Sequence, residues 1–180
     1  MFLAVLLASL SLHVHPSEID SLLRELDMSI RNRPQYTLKR QEQIDALQRK
    51  LRLSHSDQER YDLYRELFGK YRSYRMDSAL WVANQRVELA KRMKNPLYIR
   101  SAELNIAEVM IGVAMYKEGL EILDGIKSAD LDASGVSYYY YQYHQVYTLM
   151  ADYAFSDLMK EHYRGLAYQY KDSIISMRRP

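Results

Sequence analysis

Met115-Tyr116-Lys117-Glu118-Gly119-Leu120 repeats the pattern of Arg75-Met76-Asp77-Ser78-Ala79-Leu80, forty residues earlier. Ala114-Met115-Tyr116 reappears as Ala151-Asp152-Tyr153 at a spacing of 37. Internal similarity with a period of roughly 20–50 residues marks a stack of supersecondary units, each too small to bury its own apolar face. The units here read as helical. Ala79, Leu80, Ala83, Val87 and Ala90 fall at helical spacing, as do Leu104, Ala107, Met110, Ile111 and Ala114, and no segment sustains strand alternation. Only six glycines and four prolines interrupt 180 residues rich in good helix formers.

Cap signals divide the chain. Ser17-Glu18-Ile19-Asp20 opens a helix whose Ile19, Leu22, Leu23, Leu26 and Ile30 share a face, and Asn32-Arg33-Pro34 is expected to end it. A second helix is expected over 35–53, closing an N-terminal helical pair at 17–54. Ser56-Asp57-Gln58-Glu59 is a capping box, Asp77 can cap the following helix, and Asn95-Pro96 places a cap before a proline at the first helical position. Ser128 to Gly135 reads as a loop, with two longer helices over 136–151 and 156–177. The repeats are thus expected over 56–177, as 56–94, 96–127 and 136–177.

The pairs resemble the tetratricopeptide repeat. Between Arg100 and Lys127, Ala107 stands at the small position of the first helix and Tyr116 at the aromatic of the turn. Gly119 stands at the small position of the second helix, and Leu123 at the large position after it. Ala79 and Ala83 match in the preceding pair and Tyr153 in the following one; these seven residues are expected to pack the repeats. Glu103 replaces the usual tryptophan, Met110 the usual tyrosine, and Leu67 occupies a position where a small residue is expected. The resemblance implies an all-α fold, a right-handed superhelix of antiparallel helix pairs with about eight helices.

A second resemblance covers most of the chain. Ile19-Asp20-Ser21-Leu22-Leu23, Arg40-Gln41-Glu42-Gln43-Ile44-Asp45-Ala46-Leu47, the run from Glu59 to Phe68, and Tyr170-Lys171-Asp172-Ser173 are similar to a family of exported Bacteroidota regulators of unknown function. That family implies repeats outside the inner membrane, followed by a membrane helix, a coiled coil and a cytoplasmic regulatory part. The chain is then expected to be a piece or a short relative of such a protein, with the rest of a longer membrane-bound chain among its partners. Residues 1–15 fit a signal peptide: Phe2 to Leu12 is apolar and too short to span a bilayer. No Lys or Arg precedes that run, and Ser9 with Ser11 is its best small pair before cleavage. The segment is expected to be periplasmic or inner-membrane-associated, outside the cytoplasm.

Little in the sequence suggests chemistry. The absence of cysteine excludes disulfides, thiol nucleophiles and cysteine zinc sites. No Gly-rich phosphate loop occurs, and His13-x-His15 falls in the expected signal. His55, His144 and His162 stand alone, and carboxylates such as Glu118 and Glu121 fit a solvated helix face. No catalytic residue, metal or cofactor is expected, and the chain is read as a non-enzymatic module that binds a protein or peptide.

Four residues are candidates for that binding: Arg86, at a position the repeat usually gives to a small residue, and Tyr138, Tyr141 and Gln145, which share one side of a helix. Tyr140, His144 and Tyr147 share another. These tyrosines can either form an aromatic groove for a peptide or carbohydrate or fill space between helices. The lone Trp81 reads as core. Net charge is +2, unevenly spread: Arg31 to Arg100 holds 17 basic against 8 acidic residues, Ser101 to Gly135 only 2 against 7. A nucleic-acid-binding helical protein using the basic 31–100 stretch is the alternative, disfavoured because ordinary helix amphipathicity produces the same pattern.

Overall fold

The structure, a computed structural model, describes residues 16–177. The expected signal segment, with His13 and His15, lies outside the described residues. Among the described residues seven α-helices run in order: α1 (Pro16–Leu53), α2 (Asp57–Tyr71), α3 (Met76–Arg92), α4 (Pro96–Gly112), α5 (Tyr116–Asp124), α6 (Ala133–Asp152) and α7 (Asp157–Ser176). A single 3-10 turn, Ser128–Asp130, precedes α6. Among the described residues there is no strand, and no helix is long and apolar enough to cross a membrane.

The molecule divides into two compact units, Met1–Gln43 and Ile44–Pro180. In the first, the expected break at Asn32-Arg33-Pro34 is absent, and α1 continues through Pro34. A proline inside a helix lacks the N–H that the carbonyl four residues earlier would accept. Here that carbonyl belongs to Ile30, an exposed residue, so water can satisfy it. Leu22, Leu23 and Leu26 are also exposed.

The second unit is a stack of helix pairs: α2 with α3, α4 with α5, α6 with α7. Their first helices start at Asp57, Pro96 and Ala133, 39 and 37 residues apart. The caps explain these starts. Ser56 Oγ accepts from the Glu59 N–H at 3.4 Å, Asn95 Oδ1 from Tyr98 at 3.2 Å, and Asp132 Oδ1 from Gly135 at 2.7 Å. The cap at Asp132 starts α6 three residues before the expected Val136. Asp77 is no cap: α3 begins one residue before it, after Arg75, without a side-chain cap.

Two turns take an unusual route. α3 and α4 both end with a non-glycine residue in the left-handed region, Lys94 (φ 52°) and Ala114 (φ 63°). At each, the next N–H reaches back: Asn95 to the Ala90 carbonyl at 3.1 Å, Met115 to the Met110 carbonyl at 2.8 Å. These are Schellman turns, which reverse the backbone within three residues.

The cores of the first two pairs are each closed by the next pair. Leu67, Ala79, Val82 and Ala83 are buried together with Val109 of α4, and Leu104, Ala107, Ile111 and Leu123 together with Tyr143 and Val146 of α6. Tyr116 packs at the edge of this second cluster. Gly119 lies where α5 meets α4; a Cβ there would stand 2.8 Å from Ile111 Cγ1. Tyr153, expected among the residues that pack the repeats, is instead 77% exposed. Its counterpart Tyr116 begins α5, whereas Tyr153 ends α6, four residues short of Asp157. The longer turn of the last pair carries it into solvent.

Candidate functional site

A cavity of about 440 Å³ opens among the first helices of the three pairs. Tyr61, Arg65, Phe68 and Arg72 line it from α2, spaced four, three and four residues apart, which sets them on one helix face. Tyr98, Ser101 and Asn105 do the same on α4, and Ser134, Gly135 and Tyr138 come from the start of α6. Arg86 reaches it from α3, the only second helix that contributes.

Polar groups form a connected network along this groove. Tyr61 stacks on Tyr98 with ring centres 4.6 Å apart and donates to the Tyr98 carbonyl at 2.9 Å. The Arg86 guanidinium sits 4.3 Å over the Tyr61 ring, and its Nη1 donates to Asn105 Oδ1. Asn105 Nδ2 in turn donates to the Tyr138 hydroxyl at 3.4 Å, and that hydroxyl donates to the Glu108 carboxylate. Arg72 pairs with the same carboxylate at 2.9 Å. Burial, and then the Glu108 charge, push the Tyr138 phenol well above its usual range, so it remains a donor. The Glu108 charge raises Arg72.

Arg86 is the outlier. It is 1% exposed, its Nε has no hydrogen-bond partner, and among the described residues no carboxylate forms an ion pair with it. Burial lowers its pKa, and the nearby Arg65 guanidinium acts in the same direction, against Tyr61.

Of the four expected binding residues, the structure brings Arg86 and Tyr138 into one cavity. Tyr141, which is exposed, and Gln145, which is half-buried, lie about one and two turns farther along α6, beyond its walls. The other tyrosine side faces α7. Tyr143 stacks on Tyr170 at 4.4 Å, Tyr147 lies 5.9 Å from Tyr170, and His144 Nδ1 donates to the Ala167 carbonyl at 3.0 Å. These rings fill the space between α6 and α7. Trp81, expected in the core, is 55% exposed and meets Tyr64 edge-on at 5.8 Å. It lines a separate cavity between the end of α1, α2 and α3.

Sequence reasoning passed over Tyr61, Tyr98, Ser101 and Asn105. Two signals were present: Tyr61 and Tyr98 stand 37 residues apart, close to the repeat spacing, and Asn105 interrupts the apolar stripe beside Leu104 and Ala107. Among the described residues no three His, Asp or Glu groups meet as a metal site requires. Part of the uneven charge is paired in space. Arg72 meets Glu108, Arg92 meets Asp57 at 2.9 Å, and Arg100 meets Glu103 at 2.8 Å and Asp130 at 3.9 Å.

A family model described as SusR N-terminal TPR domain, TPR being the tetratricopeptide repeat, matches residues 30–180. The chain belongs to that family. The match runs from within α1 through α7, so the SusR-type TPR domain includes all three helix pairs and the whole groove. No curated protein matches the sequence, and no solved structure does. Domains of this repeat class are generally non-catalytic and serve protein–protein interaction, and the SusR-type TPR domain is a helical-repeat interaction module in that sense.

Proposed function

We propose that this SusR-type TPR domain binds a peptide or protein segment in the groove among α2, α4 and α6, and that it is the extracytoplasmic sensory part of a membrane-bound regulator, without catalytic activity of its own. One observation carries the reading of the groove. Three successive first helices contribute aromatic and hydrogen-bonding side chains to a single open cavity, the mix by which sites fix both affinity and orientation. The sensory role and the location outside the cytoplasm rest on the resemblance of segments such as 19–23, 40–47 and 59–68 to exported regulators and on the apolar run at Phe2 to Leu12. The pairing of Arg72, Arg92 and Arg100 with carboxylates speaks against a continuous basic surface for nucleic acid.

A photo-crosslinking residue in place of Leu97, at the groove, should give a discrete adduct in the native host. One in place of Lys117, exposed on α5 and outside the groove, should give none. Equal labelling at both would sink the groove assignment. For the location, a phosphatase active only outside the cytoplasm, fused after Met177, should be active; an inactive fusion of normal abundance would remove the sensory reading.

A further inference from the structure

We propose that residues 19–30 of α1 are a homodimer interface, where a second copy of this chain pairs with the first as an antiparallel coiled coil.

Uncovered apolar surface motivates it. Ile19, Leu23, Leu26 and Ile30 are 46%, 53%, 55% and 60% exposed. They follow one another at spacings of four, three and four residues, the seam of a two-stranded coiled coil. Leu22, 59% exposed, widens that seam on one side. A helix in water draws most of its stability from packing its amphipathic face, and within the Met1–Gln43 unit this face stands open among the described residues. The match to the family model starts at residue 30, so the stripe lies almost wholly ahead of the shared domain.

The stripe is complementary to itself. It reads Ile-Leu-Leu-Ile in either direction, about a centre between Arg24 and Glu25. A two-fold axis at that centre sets Ile19 against the partner's Ile30 and Leu23 against the partner's Leu26, and the same in reverse, as an isologous interface requires. The charges agree. One flank of the seam carries Asp20 and Asp27, each followed four residues later by an arginine, Arg24 and Arg31. In the antiparallel register Asp20 comes nearly level with the partner's Arg31 and Asp27 with the partner's Arg24, so each copy brings two acids and two bases to that flank. A parallel copy would instead set Asp27 beside the partner's Leu22 and stack Arg33, the next seam position, on its own counterpart. The five apolar side chains expose roughly 500 Å² per copy, so pairing buries about 1,000 Å² in all, the lower limit for a specific interface and the size of a weak dimer.

Sedimentation velocity of the whole protein, from about 1 to 100 μM, should show monomer giving way to dimer. Leu23→Glu combined with Leu26→Glu changes only exposed positions, so the repeat core should melt as before while the protein stays monomeric throughout. The chain has no cysteine, which makes direction readable from crosslinks. Ile19→Cys and Ile30→Cys proteins, mixed and treated with a maleimide crosslinker of about 8 Å, should join to each other and neither to itself, because an antiparallel copy holds like positions roughly 16 Å apart along the axis. A monomer at every concentration overturns the proposal and leaves the face to another occupant. A dimer that survives the paired glutamates overturns the interface, and cysteine variants that each crosslink alone overturn the antiparallel register.

Discussion

The α2/α3 and α4/α5 pairs solve one volume problem in opposite ways. At positions forty residues apart, the first carries Leu67 on α2 and Ala83 on α3, while the second carries Ala107 on α4 and Leu123 on α5. All four are buried. The large residue sits on the first helix in one pair and on the second helix in the other. The repeat therefore conserves the filled space between two helices rather than the residue type at each position, as close-packed interiors require.

Breaking that exchange should cause the largest effects. Leu67→Ala and Leu123→Ala should each cost about 3 kcal/mol in denaturant unfolding, through lost burial and the cavity left behind. Combining Leu67→Ala with Ala83→Leu should recover more than about 1 kcal/mol of the first loss; strict additivity would show that the two positions do not share one space.

Gly119 sharpens the comparison. Gly119→Ala should cost about 1 kcal/mol, because its Cβ meets buried Ile111. Gly165→Ala in α7, where nothing lies within 4 Å of the added carbon, should instead gain about 0.5–1 kcal/mol from helix propensity. Melting temperatures moving in opposite directions would check both.

The α6/α7 pair extends the contrast, since aromatic rings fill its interior. Tyr143 is buried and its hydroxyl donates to Asp124 at 2.5 Å; burial first, and then that bond, raise its pKa above the ordinary 10.0. The folded state thus holds the proton more tightly than the unfolded state. Its contribution is complete below pH 10 and is lost as pH rises beyond it. Tyr143→Phe should cost about 1 kcal/mol at neutral pH and give a shallower fall in stability above pH 10 than the parent protein. The smallest effect belongs to the left-handed turn residues: Lys94→Gly and Ala114→Gly should each stabilise by about 0.5 kcal/mol, read as a small rise in Tm.

What the sequence disclosed was local. Ser56 and Asn95 are legible as caps because the bond they make spans three residues, and the small residues at 79 and 119 are legible because they recur at the forty-residue spacing. Pro34 misled because its cost depends on whether the deprived carbonyl can reach water. Lys94 and Ala114 hid two turns because neither is the glycine that usually announces a left-handed cap. The groove was half-visible. Arg86 and Tyr138 stood out as odd residues, but Tyr61, Asn105 and Glu108 take their roles from partners 19 to 37 residues away, on other helices. Tyr153 shows the limit of alignment by spacing, where a longer turn moved a matching residue off the surface its counterpart uses.

Trp81, half out of the protein beside Tyr64, gives the molecule two separate optical reporters. As the lone tryptophan it emits from the α2/α3 end, whereas the stacked rings of Tyr143, Tyr147 and Tyr170 give near-ultraviolet dichroism from the α6/α7 end. Recorded in a single denaturant titration, the two signals reveal whether the stack comes apart in one step or peels from an end.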